Sequence, residues 1–530
     1  MTTMKKDDRV RLIPVLPLFT LCLLTAPAFA QAPAEAEDGG NQRPEQAQAE
    51  RNTQESAKED AAGIFSLLPA DVTTDHVLQT KAGPLAYTAT AGTLSLRGQD
   101  GKVTAKIFYT AYGARDRAPG RPVTFAFNGG PGAASAYLHL GLVGPKILPF
   151  SGDNADGTQP VLKDNPESWL AFTDLVLIDP VGTGWSRAAN EEAASRFFGV
   201  RQDAESLAKT ITLYVQANDL LSAPKYLLGE SYGGFRAAKV AIALKNSQNM
   251  IPSGIIMVSP LMEGRFLFGA DDDPLAAALQ LPSLGAAELE RKGQFDAKNL
   301  ADAESFAMGE YLTTLAGAEP QGERAKGFYG RIAQLTGVPA DVAARTRGFV
   351  GNVYAKQAAG TGHIVSPYDA GIALPDAYPE APYGRNDDPV LEGYTRAYGS
   401  AFAAYAREIL GFRTDMTYTL LNEEINRKWE WNGGRGSENN RVTAGISTDL
   451  RDLFSVIPSF RLMVAHGYSD ILTPYGMSRY VLNHLPADLV TDRASLKLYR
   501  GGHMFYTRED DRRAMFEDAR AFYEGGKAGN

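Results

Sequence analysis

The sequence predicts an α/β fold with a mostly parallel central sheet, and two observations carry this prediction. Short apolar runs recur along the chain, as expected for strands that are buried on both faces of a parallel sheet. They lie at 123–127, 175–178, 226–228, 255–258, 462–465 and 496–499. Helical patterns at 203–217 and 235–245 separate some of these runs, and such alternation of strands and helices is typical of a doubly wound sheet.

Composition excludes several classes of protein. The 530 residues are 44% hydrophobic and 22% charged, with 53 glycines, which is the profile of a globular protein and excludes disorder over the whole length. The single cysteine, Cys22, excludes a disulfide scaffold. A net charge of −9, from 53 basic and 62 acidic residues, argues against binding nucleic acid through a basic surface.

Residues 1–30 predict a signal peptide. Four basic side chains precede an apolar run at 12–24, and Ala28-Phe29-Ala30 has the small-x-small form of a signal-peptidase site. The run is short for a membrane span, although a membrane anchor is the alternative. Residues 31–60 are rich in Ala, Glu and Gln and predict a disordered leader. We therefore expect a periplasmic or secreted protein with no stable membrane insertion after cleavage.

The rest of the chain divides into three predicted parts. Residues 61–260 form the first part of the core, where alternation between 72 and 113 predicts two or three antiparallel strands. Residues 261–431 carry alanine-rich helical patterns and predict a mostly helical insertion. Residues 432–530 return to the core. Because ligands bind at the carboxyl ends of parallel strands, an insertion between two late strands would form a cap over the site.

Gly229-Glu230-Ser231-Tyr232-Gly233 matches the G-x-S-x-G nucleophile elbow. In this motif the serine occupies a strained turn between a strand and a helix, and glycines avoid clashes beside it. The context agrees, because 225–228 predicts a strand and 235–245 predicts a helix. A chance glycine turn is the alternative. Ser231 is therefore the candidate nucleophile.

A glycine-rich segment, Asn128-Gly129-Gly130-Pro131-Gly132, closes an earlier predicted strand. Glycines there can point bare backbone N–H groups into a cavity, as an oxyanion hole requires. A phosphate-binding loop or a plain turn is the alternative. A phosphate-binding loop would need Gly-Lys-Ser/Thr next, and Ala133-Ala134-Ser135 follows instead. The sequence therefore favours an oxyanion-binding loop.

A serine hydrolase of this type has its acid and its histidine after the nucleophile, in the order Ser, Asp, His. His503 follows a predicted strand on a glycine-rich turn, and Asp470 follows the preceding strand. His466 also ends a strand and competes with His503, but no acid precedes it closely in the required order. A turn or N-cap role is the alternative for Asp470. We expect His503 to be the base and Asp470 its partner.

Four blocks together resemble the serine carboxypeptidase family. They are 128–132, the segment Asp179-Pro180-Val181-Gly182-Thr183-Gly184-Trp185-Ser186, 229–234 and Gly502-His503-Met504. The resemblance implies an α/β-hydrolase fold with a large helical cap insertion. It also implies removal of C-terminal residues from peptide substrates through an acyl-enzyme, without a cofactor or metal.

The resemblance also implies roles for individual residues. Ser231 would be the nucleophile, His503 the base and Asp470 its partner. The backbone N–H groups of Gly130 and Tyr232 would form the oxyanion hole. The substrate's terminal carboxylate would be held by Asn128, Gly129 and Glu230.

Three positions depart from the family pattern. Ala126 replaces a tryptophan, Leu142 replaces a glutamate that shares in carboxylate binding, and Ala133 replaces a cysteine. Carboxylate recognition is therefore only partly present. An esterase or acyltransferase on the same machinery is the alternative activity. A catalytically silent binding protein would need a broken triad, which the sequence does not have.

Overall fold

The computed structural model describes residues 63–150, 158–381, 388–432 and 439–525. The predicted signal peptide (1–30) and leader (31–60) lie outside these residues. The strands are β1 Val72–Thr80, β2 Gly83–Arg97, β3 Val103–Ala114, β4 Val123–Phe127, β5 Lys146–Ile147, β6 Lys163–Asp164, β7 Asp174–Ile178, β8 Arg187–Ala188, β9 Lys225–Glu230, β10 Gly254–Val258, β11 His363–Val365, β12 Ala373–Pro375, β13 Arg461–Gly467 and β14 Ala494–Tyr499.

Ten of these strands form one central sheet. Its order is β1-β2-β3-β7-β4-β9-β10-β13-β14, and β8 pairs with the N-terminal part of β3. The first three strands are antiparallel, as predicted, and β3 also pairs antiparallel with β7. From β7 to β14 all neighbouring strands are parallel. The predicted α/β-hydrolase fold with a mostly parallel central sheet is confirmed.

Helices follow most of the parallel strands and fill the segment between β10 and β13. They are α1 Ala136–Leu138, α2 Glu191–Ser195, α3 Val200–Ala217, α4 Tyr232–Ser247, α5 Gly264–Leu267, α6 Pro274–Arg291, α7 Ala297–Phe306, α8 Leu312–Leu315, α9 Gly322–Thr336, α10 Ala340–Arg345, α11 Gly351–Gln357, α12 Pro389–Glu408, α13 Glu423–Lys428, α14 Ser447–Val456, α15 Tyr475–Asn483, α16 Ala487–Val490 and α17 Glu509–Gly525. Within the described part of the chain, each helix is too short or too polar to cross a membrane.

Side chains of the parallel strands alternate between two hydrophobic cores, one on each face of the sheet. On β4, Phe125 and Phe127 enter the core that contains α3 and α4, whereas Ala126 enters the core that contains α12 and α17. All five residues of β4 are buried. This burial on both faces explains why the strand reads as a continuous apolar run rather than an alternating one.

The segment between β10 and β13 has a hydrophobic core of its own, formed largely by α6, α9 and α10. Two of the alanine-rich stretches predicted to be helical, at 274–279 and from 286 onward, belong to one helix, α6, which continues through Pro282 and ends at Arg291. The β11–β12 hairpin interrupts the helical series. The segment is thus mostly helical, while its exact limits as a separate cap stay a prediction.

Candidate active site

Ser231 lies in a strained turn between β9 and α4. Its φ of 62° and ψ of −126° are unusual for a residue with a side chain. A Cβ on Gly229 would lie 1.9 Å from the carbonyl oxygen of Gly233, and one on Gly233 would lie 2.5 Å from that of Phe127. The flanking positions therefore have no room for a side chain, which is the physical reason for the G-x-S-x-G pattern.

The glycine-rich loop after β4 packs directly against this turn. A Cβ on Gly129 would lie 2.6 Å from the backbone nitrogen of Tyr232, so only glycine allows this approach. Gly130 has a φ of +97°, in the region that favours glycine. Gly130 and Tyr232 both line the cavity that contains Ser231. Backbone N–H groups in such a position can stabilise an oxyanion.

Asp470 and His503 lie in the loops that follow β13 and β14, two adjacent parallel strands. His503 Nδ1 lies 2.9 Å from Asp470 Oδ2. The other carboxylate oxygen, Oδ1, accepts hydrogen bonds of 2.9 Å from the backbone nitrogens of Leu472 and Thr473. The Thr473 hydroxyl lies 2.8 Å from Oδ2. These contacts fix the carboxylate so that it orients the imidazole ring.

The charges of this pair stabilise each other against burial. Burial opposes ionisation of Asp470, but the adjacent His503 and its hydrogen bonds hold the pKa of Asp470 below its usual value. Burial also disfavours the imidazolium of His503, yet Asp470 and, more weakly, Glu230 raise its pKa. The pair can therefore accept a proton at His503 while Asp470 remains ionised.

His466, the competing histidine, is engaged elsewhere. Its Nε2 lies 2.8 Å from the Ser478 hydroxyl, and its Nδ1 is 3.9 Å from Asp470 Oδ2. Its side chain is fully buried, and this burial lowers its pKa. The closer contact with Asp470 belongs to His503, at 2.9 Å.

Glu230 lines the cavity that contains Ser231 and is only 2% exposed. Its Oε2 accepts a 2.6 Å hydrogen bond from Asn128 Nδ2, and the Tyr506 hydroxyl lies 2.8 Å and 2.9 Å from the two carboxyl oxygens. Burial raises the pKa of Glu230 to about 7, against the lowering effects of His503, Tyr506 and Asn128. A carboxyl group with this pKa is substantially protonated below neutral pH.

A cavity of about 620 Å³ brings the predicted site residues together. Those lining it are Asn128, Gly129, Gly130, Glu230, Ser231, Tyr232 and His503. Asp470 contacts His503, which separates it from the cavity. The segment between β10 and β13 also lines the cavity, with Tyr368, Leu391 and Leu421 among its residues there. A hydroxyl nucleophile, an imidazole base and backbone N–H groups in one cavity can perform acyl transfer.

Sequence reasoning missed three residues that support the site. Tyr506 contacts Glu230, and Thr473 contacts Asp470. Arg236 pairs with Asp203 at 2.7 Å in the core and also donates to the carbonyl oxygen of Asn128. The only signal for Tyr506 in the sequence was its position three residues after His503. The Arg236 contacts depend on packing between α3, α4 and β4.

Among the described residues, no group of three or more His, Cys, Asp or Glu side chains is arranged so that it could hold a metal ion. The fold and the cavity define a class of proteins, the α/β-hydrolases with a serine nucleophile elbow. Residues 83–256 match the family model described as serine carboxypeptidase. The predicted resemblance to the serine carboxypeptidase family is confirmed over this region. The match contains Ser231 and ends before Asp470 and His503.

Individual relatives agree with the family match. The pheromone-processing carboxypeptidase KEX1 of Cryptococcus gattii is 31% identical over 184 residues, covering 33% of this chain and 25% of the relative. The vitellogenic carboxypeptidase of Aedes aegypti is 30% identical over 152 residues, covering 28% and 30%. The chain therefore spans about a quarter to a third of the curated relatives it matches.

Among solved structures, the proline iminopeptidase of Mycobacterium smegmatis aligns with 82% of this chain and 98% of its own. The sequence identity is 14% and the TM-score is 0.37. This likeness is too weak to support any conclusion beyond those drawn from the strand order.

Proposed function

We propose that this protein is an exported serine carboxypeptidase, which hydrolyses C-terminal peptide bonds through an acyl-enzyme. The observation that carries the proposal is the buried Glu230–Asn128 pair beside Ser231. An esterase needs only a nucleophile, a base and an oxyanion hole. A protonated acid and an amide in the same cavity as the nucleophile add a means of binding a carboxylate.

Ser231 attacks the carbonyl carbon of the last peptide bond. His503 takes the proton from its hydroxyl and then donates it to the departing amino group. Asp470 holds the imidazole in the tautomer whose Nε2 can accept this proton and stabilises the imidazolium. The N–H groups of Gly130 and Tyr232 stabilise the oxyanion. Water then hydrolyses the acyl-enzyme by the same proton transfers in reverse.

Glu230, Asn128 and Gly129 bind the terminal carboxylate of the peptide. Two facing carboxylates would repel each other, so Glu230 must be protonated when the substrate binds. Its pKa of about 7 allows this below neutral pH. Binding of the free C-terminus should therefore weaken as pH rises through this value.

The second candidate is an esterase or acyltransferase on the same machinery. Leu142, fully buried, stands where the family pattern has a second acid, and this favours reduced carboxylate recognition. The two activities differ in one measurable property: only the carboxypeptidase discriminates between a substrate's free C-terminus and its amide.

The deciding experiment compares three substrates with one acyl group: an N-blocked dipeptide, its C-terminal amide and the matching p-nitrophenyl ester. A carboxypeptidase should have at least tenfold higher kcat/KM for the free acid than for the amide at pH 5.5. Equal values, with rapid ester hydrolysis, would favour the esterase. A serine-directed phosphonate that failed to label Ser231 would contradict both activities.

Export is part of the proposal and has its own test. The basic residues, apolar run and Ala28-Phe29-Ala30 sequence support cleavage after Ala30. The mature protein should begin at Gln31 and occur in the periplasm or the medium. N-terminal sequencing that began at Met1, with the protein in the membrane fraction, would contradict export.

A further inference from the structure

We infer that Tyr506 is a positioning residue for carboxylate recognition: its hydroxyl holds the Glu230 carboxyl group and replaces the second acid absent at Leu142. The inference rests on the proposed function for its effect on substrate binding. Its effect on Glu230 itself can be tested without any activity.

The contact between Tyr506 and Glu230 is buried and specific. Tyr506 is fully buried, and its hydroxyl lies 2.8 Å and 2.9 Å from the two oxygens of Glu230. Asn128 Nδ2 contacts Oε2 from another side at 2.6 Å. Two donors on different chain segments therefore fix the plane of the carboxyl group. Asn128 is fixed in turn, since its side-chain oxygen accepts a 3.0 Å bond from Leu138 N.

The turn that carries Leu142 is shaped to accept the Tyr506 ring. A Cβ on Gly141 would lie 2.6 Å from a carbon of this ring, so only glycine leaves space for it. Leu142 is itself fully buried in the same hydrophobic cluster as Tyr506. The family pattern has a carboxyl group at position 142. In this protein a phenol approaches Glu230 from the loop after β14 instead.

The phenol differs from a second acid in its charge. Burial and the neighbouring Glu230 raise the pKa of Tyr506 well above its usual value, so the hydroxyl stays protonated. A carboxyl partner could share one proton with Glu230. Tyr506 can donate to an ionised Glu230, and this stabilises the ionised form. The hydroxyl therefore opposes the effect of burial on Glu230.

Other titratable groups among the described residues also face Glu230. His503 favours ionisation of Glu230, and Asp470 opposes it. The phenols of Tyr137, Tyr368 and Tyr398 also lie in the field of Glu230, and burial raises the pKa of each of them. These phenols remain neutral. Removal of the Tyr506 hydroxyl therefore removes a hydrogen-bond donor to Glu230 without changing any charge around it.

The test is Tyr506→Phe, which removes one oxygen and keeps the ring. The KM of the free-acid dipeptide should rise about tenfold at pH 5.5, because one hydrogen bond to an ionisable group is lost. The pH at which this KM begins to rise further should increase by at least half a pH unit. The kcat/KM of the amide should change less than twofold.

Tyr398→Phe is the matched control. Tyr398 is also fully buried in this cluster, and its hydroxyl has no hydrogen-bond partner among the described residues. This variant should leave the free-acid KM and its pH profile unchanged. Equal effects of the two substitutions, or equal effects of Tyr506→Phe on acid and amide, would show that Tyr506 only fills space.

An infrared measurement separates this inference from the proposed function. The protonated Glu230 carboxyl gives a C=O stretching band, which is identified by its loss in Glu230→Gln and followed against pH without substrate. Tyr506→Phe should shift its titration upward by at least half a pH unit. An unchanged titration would overturn the inference. If the titration shifts while wild-type enzyme treats acid and amide alike, the proposed function fails and the Tyr506–Glu230 contact stands.

Discussion

At Ser231 the backbone adopts a left-handed conformation that a side-chain-bearing residue rarely tolerates, with φ 62°. The turn is held by the backbone hydrogen bond from Ser231 N to Val258 O, 2.9 Å long, and by the close packing of Gly229 against Gly233. The neighbouring helix and strand thus maintain the strain, which exposes the hydroxyl to the cavity. Such strain is typical of a functional site.

Ser231→Ala should reduce kcat about 10⁶-fold and Asp470→Asn about 10⁴-fold, the magnitudes known for such triads. Asp470→Asn costs less because the nucleophile and the base are both still present, although the base is held in an unfavourable tautomer. Single-turnover and steady-state assays on the preferred substrate measure both effects. Unfolding curves should match wild type, and Ser231→Ala with a tenth of the activity would contradict the nucleophile assignment.

Two residues should produce opposite pH effects. At low pH, kcat should fall because His503 becomes protonated and cannot act as base. At higher pH, the free-acid KM should rise because Glu230, with a pKa of about 7, ionises. Glu230→Gln should remove the rise in KM and leave the low-pH fall in kcat. The C-terminal amide, measured in parallel over pH 4.5 to 8.5, should lack the KM rise even in wild type.

At the scale of elements, the loop after β14 depends on a contact with the segment between β10 and β13. The backbone nitrogen of His503 donates a 2.5 Å hydrogen bond to the carbonyl oxygen of Tyr368, and the two rings lie edge to face at 5.1 Å. A Cβ on Gly502 would lie 2.0 Å from this oxygen. Gly502 therefore allows the two segments to meet.

Gly502→Ala should displace either Tyr368 or His503 and lower kcat by at least tenfold, since a small misplacement of a catalytic group has large effects. Gly327→Ala is the control, because Gly327 is exposed in α9 and a Cβ there meets nothing within 4 Å. That substitution should leave kcat unchanged and stabilise the protein by up to about 1 kcal/mol. Wild-type kcat in Gly502→Ala would contradict this role for the loop contact.

At the scale of the whole molecule, His139 links the antiparallel strands to α12. It is 1% exposed, its Nε2 lies 2.6 Å from the Tyr112 hydroxyl, and its ring packs against Phe402. Burial lowers its pKa to about 3. A folded-state pKa below the unfolded value of about 6.5 means that unfolding takes up a proton in this range.

The contribution of His139 to stability should therefore be complete above pH 6.5 and decrease as pH falls toward 3. Urea unfolding at pH 7 and pH 4.5 measures this. His139→Gln should show a smaller loss of unfolding free energy between the two pH values than wild type, by about 1 to 3 kcal/mol. His363→Gln, at an exposed position, should behave as wild type. An identical loss in His139→Gln would contradict this interpretation.

The sequence by itself determined the strands, because burial on both faces leaves a continuous apolar run that needs no knowledge of its neighbours. The predicted run at 123–127 coincides with β4, and 226–228 and 462–465 lie within β9 and β13. It also identified Ser231 as the candidate nucleophile, since the steric requirement of the elbow falls on residues that are adjacent in the chain. Asp470 and His503 were predicted from chain order, and the structure brings them into contact.

Tertiary structure alone decided the contacts between distant segments. Tyr506 and Glu230 are 276 residues apart, and Arg236 and Asn128 are 108 apart. No local pattern encodes such pairs, because a buried polar group needs only a partner of suitable chemistry from any part of the chain. The sequence could show that Leu142 replaces an acid. Only the folded chain shows that a phenol from another strand's loop reaches Glu230 instead.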